Sequence, residues 1–153
     1  MTTIKYDSSL WPLAVTVAKG ECTLAMHLDS LISWDSWFDK AEAFIVVRVY
    51  TDEASLQHPK GAGPATQKWL KDGAAEKMKQ LVQAMLIVVP EEQYQKFQNM
   101  SVQKAFGIPG AVFKSLDDAT TWLQASAKEI AIPENIELQD VALLVHSHCG
   151  NTH

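Results

Sequence analysis

The chain ends in His146-Ser147-His148-Cys149-Gly150-Asn151-Thr152-His153, which gathers three of its five histidines and one of its two cysteines. Imidazole and thiolate are the side chains that best bind borderline transition metals. His146, His148, Cys149 and His153 are therefore candidate ligands for Zn²⁺, Ni²⁺ or Cu²⁺; no other cofactor is expected. On a strand, His146 and His148 would share a face while Cys149 points away. On a helix, the two histidines diverge, and Cys149 and His153 align instead. Neither arrangement completes a ligand set unaided, and a loose polar chain end is the competing reading.

A second chemical feature is Arg48, the single arginine, set in the apolar run Ala43 to Tyr50 (AFIVVRVY). A charge there must be paired or must reach the sheet edge. It reads either as half of a salt bridge or as an anion-binding residue near the carboxyl end of the strand, where α/β sheets bind ligands. Five tryptophans are many for this length. Trp34 and Trp37 lie one helical turn apart beside Phe38, and the three are not expected to face a core together. One should sit at an edge, so Ser33 to Phe38 is a candidate homodimer or partner surface. Cys22, close to a helix start, has a setting that lowers thiol pKa values, although a buried inert cysteine is the plainer reading. His58 to Pro64 resembles a phosphate loop only superficially: it has no Gly-Lys-Ser/Thr ending and no strand directly before it. No Gly-x-Ser-x-Gly or His-Glu-x-x-His motif occurs, so a non-enzyme is favoured over a metal-dependent enzyme built on the histidine-rich end.

These residues need a scaffold, and the pattern supplies one. With 153 residues, 47% apolar and 20% charged, the chain fits a folded domain with a good core. Its net charge of −5 disfavours nucleic acid as a partner. No apolar run is long enough to span a membrane, and two distant cysteines make no disulfide framework, so a reducing cytoplasm is the expected compartment. Ile4 to Tyr6 and Leu13 to Val17 read as strands separated by a turn at Asp7-Ser8-Ser9. Thr23 to Lys40 has helical spacing. Ala43 to Tyr50 and Ala84 to Val89 read as central strands covered on both faces. The connection from Thr51 to Pro64 is long for a compact domain. Ala65 to Val82 and Glu91 to Phe106 read as helices. Ala111 to Lys114 reads as a short strand, and Leu116 to Ala127 as a helix capped by Ser115. Val141 to Val145 is apolar without deciding between strand and helix.

The alternation predicts an α/β layered fold. The runs AFIVVRVY and AMLIVVP, with Gln67-Lys68-Trp69-Leu70 between them, together with Pro109 to Phe113 leading into Leu116 to Leu123, resemble the STAS fold of the bacterial SpoIIAA-like, anti-sigma-factor-antagonist-like branch. The resemblance implies a mixed sheet of about five strands with about four helices over residues 1–130, and leaves 131–153 as a C-terminal extension. It implies a non-catalytic regulatory domain with a protein partner; beside it, the tryptophans and Arg48 point to a homodimer and to a small apolar or anionic ligand, with Trp34, Trp37, Arg48, Asp52 and Ser55 as the binding residues. Family members carry a phosphorylated serine in an Asp-Ser-Gly-like loop. The matching stretch here, Tyr50 to Ala65, has no such motif, which leaves Ser55 and Thr66 as candidate phosphoacceptors beside the plainer reading of loop and cap residues.

Overall fold

The structure, a computed structural model, describes residues 3–97, 99–126 and 138–149. Strands β1 (Thr3–Leu10) and β2 (Leu13–Lys19) form an antiparallel hairpin. It turns at Trp11-Pro12 rather than at Asp7-Ser8-Ser9. The Asp7 carboxylate accepts a hydrogen bond from the Ser9 amide at 2.8 Å, and the register shifts between Asp7 and Leu10. The polar triplet thus makes a bulge within the strand instead of ending it.

Helix α1 (Leu24–Phe38) begins at Thr23, whose Oγ1 accepts from the Met26 amide at 3.1 Å. Strand β3 (Phe44–Tyr50) follows, buried along most of its length as its apolar run requires. Helices α2 (Ala62–Trp69) and α3 (Ala75–Leu81) flank a wide turn at Leu70–Ala74. Gly73 sits there at φ 134°, a conformation that a side chain would oppose, so the helix expected over Ala65 to Val82 is broken in the middle. Strand β4 (Val82–Val88) leads to a 3₁₀ segment at Glu91–Phe97 and a short helix α4 (Val102–Phe106). The single helix expected over Glu91 to Phe106 does not form. Its first half buries no residue, and Ser101 starts a new helix by accepting from the Lys104 amide at 3.2 Å. Strand β5 (Gly110–Phe113) and helix α5 (Leu116–Ala125), capped by Ser115 as expected, complete the alternation. Residues Leu138–Cys149 form α6, which settles Val141 to Val145 as helical. The described residues therefore hold six α-helices rather than about four.

The sheet is mixed, with strand order β1-β2-β3-β4-β5. Only the β1–β2 pair is antiparallel. Because the parallel strands are laid down in one direction and such crossovers are right-handed, α1, α2, α3 and α4 cover one face. That face holds Ala14, Phe44, Val46, Met85 and Ile87 together with Trp34, Trp37, Phe38, Met78 and Val102. The alternate residues Leu13, Val15, Ile45, Val47, Leu86 and Val88 pack on the other face against Ala119 and Leu123 of α5 and Val141 and Val145 of α6. Gly110 lets β5 start against β4: a Cβ there would lie 2.1 Å from the Met85 carbonyl oxygen.

Candidate functional site

The helical face of the sheet that carries α1 to α4 has one polar row. Tyr6 pairs with Thr16, Thr16 with Arg48, and Arg48 with Ile87. Partners in register point to the same side, so the row runs across three strands into an otherwise apolar core. The row lies beside the carboxyl ends of β2 and β3, where α1 and the β3–α2 connection leave the sheet open.

A cleft opens there. Its outer part has a volume of about 390 Å³, with Trp34, Trp69, Met78, Met85 and Phe106 among its walls. A smaller chamber of about 70 Å³ lies against Thr16, Cys22, Tyr50 and Ser55. His27, Ser30, Arg48 and His58 line both parts, which therefore adjoin. Among the described residues, no lysine, aspartate or glutamate lines either part.

Arg48 is half-buried and forms no ion pair among the described residues; the pairs there are Lys68–Asp72, Lys96–Glu53 and His148–Asp7. Its guanidinium lies over the Tyr50 ring at 5.5 Å from the centroid, which steers the side chain without neutralising it. His27 Nε2 is 2.7 Å from Thr66 Oγ1 and so ties α1 to α2. Burial, then the positive Arg48 and the neighbouring His58, hold the His27 imidazole below its ordinary pKa. Burial pushes the Tyr6 phenol up to about 12, reinforced by Cys22 and Asp29. The Tyr6 hydroxyl is buried and has no hydrogen-bond partner among the described residues. Cys22 lines the inner chamber, but burial pushes its thiol up, against the pull of Arg48, so it is not an activated thiolate.

Of the residues singled out from sequence, Arg48 lies at the centre of the cleft and Trp34 in its wall. The expectation that one of Trp34 and Trp37 sits at an edge is corrected. They are 7% and 5% exposed, and Phe38 is 4% exposed. Spaced i, i+3 and i+4, the three rings converge on Phe44, and Trp34 meets Trp69 edge-on at 6.1 Å. A helix facing a sheet through large rings buries a wider arc than a helix with aliphatic contacts.

Asp52 is a structural tie. Its carboxylate accepts from the Gly20 amide at 3.1 Å and from the Ser55 amide at 2.9 Å, joining the end of β2 to the β3–α2 connection. Ser55 is buried, and its hydroxyl donates to the Asp52 carbonyl at 2.7 Å. Thr66 is half-buried against His27. On α6, His146 is exposed, while His148 Nε2 lies 2.8 Å from Asp7 Oδ2. The two histidines diverge as a helix requires. The Cys149 side chain and His153 lie outside the described residues. Among the described residues no group of three or more His, Cys, Asp or Glu side chains is placed to hold a metal.

Sequence reasoning missed His27, His58 and Tyr6 as companions of Arg48. His27 left a signal, because it occupies a core-facing position of the α1 stripe and so points toward the sheet face that bears the half-buried arginine. Tyr6 left none, since its place beside Thr16 follows only from the register of the hairpin.

The chain matches no family model, no curated protein and no solved structure. What its fold establishes is the class: an α/β protein with a five-stranded mixed sheet. No helix among the described residues is long and apolar enough to cross a membrane.

Proposed function

We propose that the chain is a non-catalytic binding module whose cleft takes a small molecule with an apolar body and an anionic group, anchored by Arg48. One observation carries this reading: a half-buried guanidinium faces a cleft whose lining, among the described residues, contains no carboxylate to neutralise it. Retaining a buried charge without a partner is costly, and a ligand anion removes that cost. The outer volume lies within the range of small-molecule sites, and its aromatic and thioether walls suit hydrocarbon. The same reading places the chain with the SpoIIAA-like STAS domains and gives it a regulatory role. Occupancy of the cleft would set the spacing of α1 and α2 and so the surface shown to a protein partner. Its support is the α/β class and the five strands that the sequence resemblance implies.

Calorimetric titration with octanoate, octyl phosphate, anilinonaphthalene sulfonate and the neutral octanol tests the reading. At least one anion should bind with one-to-one stoichiometry, and Arg48→Met should weaken it about tenfold or more, the effect of losing a hydrogen bond to a charged group. Binding that is equal in both proteins, or no binding by any anion, would overturn it.

A further inference from the structure

The cleft has two compartments of very different size, joined at Arg48. We infer that its ligand is a monocarboxylate with a hydrocarbon tail, the carboxylate seated in the inner chamber against Arg48 and Thr16 and the tail lying in the outer cleft. This inference rests on the binding reading above and narrows it to one chemical class.

Size is the first argument. At about 70 Å³ against about 390 Å³, the chamber beside Thr16 is the smaller of the two and suits the polar head of an amphiphile, leaving the larger part for its tail. A carboxylate fits with its two oxygens side by side. A phosphate monoester would bring three terminal oxygens in a tetrahedral arrangement.

Charge is the second argument. Among the described residues, Arg48 is the one side chain with a fixed charge in either lining. His27 adds no cation at neutral pH, since its buried ring lies next to that guanidinium and its titration is pushed down. A single planar cation matches a single planar anion, with two parallel N–H···O bonds in register. A dianion would keep half its charge unpaired beside Arg48.

Donor supply is the third. Phosphate sites commonly use a nest of free backbone amides. The glycine amide at this rim, Gly20, is already committed to both oxygens of the Asp52 carboxylate. Beside the guanidinium the chamber is lined by Thr16, in register with Arg48, and by Gln57 and His58. The outer part supplies the complement. Trp34, Trp69, Met78, Met85 and Phe106 offer no charge, and two flexible thioethers let one wall adapt to different tails.

The test is a selectivity series on the intact wild-type protein, which needs no variant to fold. Octanoate should bind at least tenfold more tightly than octyl phosphate and octanol, and acetate, which lacks the tail, should bind far more weakly than octanoate. Thr16→Val, which keeps the volume, should weaken octanoate severalfold and leave octanol unchanged. Arg48→Lys, which keeps the charge but not the planar fork, should weaken octanoate about tenfold. Octyl phosphate binding as tightly as octanoate, with Arg48 still required, would overturn the carboxylate assignment and leave the binding reading standing. Equal affinity of octanoate and octanol would overturn the seating of the carboxylate. The absence of binding by every anion would overturn both.

Discussion

The two faces of the sheet are built from the same strands and do different work. Beneath α5 and α6, residues Leu13, Val15, Val17, Ile45, Val47, Val49, Ala84, Leu86 and Val88 form an aliphatic layer with no aromatic ring among its buried members. Beneath α1 to α4, the alternate positions carry Tyr6, Thr16, Arg48 and Tyr50 at one end and a cluster of tryptophans and phenylalanines at the other. Small branched side chains close-pack and leave no room. Large rigid rings and a charged residue hold the helices off the sheet and leave a cleft. The difference shows how one strand such as β3 serves both ends: its odd-numbered residues seal one layer, while Arg48 opens the other.

Truncations should separate the faces. The largest effect on stability is expected from Leu86→Ala, whose side chain is 1% exposed in the aliphatic layer. It should cost about 3 kcal/mol in denaturant unfolding and leave the affinity of the folded protein for an anionic amphiphile unchanged. Arg48→Met should behave the opposite way. Stability should change by about 1 kcal/mol or less, and upward as readily as downward, because a half-buried charge with no ion pair among the described residues is replaced by an apolar chain, while ligand affinity falls about tenfold or more. If Arg48→Met unfolds the protein, the division between the faces is wrong.

Smaller effects sharpen the contrast. The Asp7–His148 contact ties α6 to the hairpin, across the aliphatic layer. Burial raises the Asp7 carboxyl, but the hydrogen bonds from Ser9 and His148 outweigh it and hold the carboxyl below its ordinary value. A depressed carboxylate contributes stability above its unfolded pKa and loses it as pH falls through the folded value. Asp7→Asn should therefore cost about 1 kcal/mol or less near neutral pH, a difference that begins to shrink below about pH 4 and is gone once pH falls below the depressed folded value. His27 has the reverse setting for a base. Its folded pKa is depressed, so the unfolded chain takes up the proton first and stability declines as pH drops below about 6.5. His27→Gln should flatten the stability profile just below that pH, read by thermal unfolding across a pH series. Tyr6→Phe removes a buried hydroxyl that has no partner among the described residues. It should be neutral or slightly stabilising in the free protein.

Much of this fold is legible in the sequence. The runs around Val46 and Leu86 announce strands buried on both faces, Ser115 announces a helix start, and the stripe from Leu24 to Phe38 announces α1. Arg48 is conspicuous because a charge interrupts one of those runs. Long-range geometry is less legible. Gly73 breaks a helix that the apolar spacing alone would continue, and Ser101 restarts one that the spacing alone would not interrupt. The apolar Val141 to Val145 fits strand or helix equally until its packing against α5 and β2 decides. The convergence of His27, His58 and Thr16 on Arg48 depends on strand register and on crossover handedness. Neither is written in any local window of residues.

The most direct test of this division of labour is an octanoate titration followed by amide chemical shifts in the isotope-labelled protein. The largest changes should fall on Thr16, His27, Arg48 and Thr66, with Val47, Leu86 and Val145 nearly still. Changes centred on α5 and α6 would contradict the account.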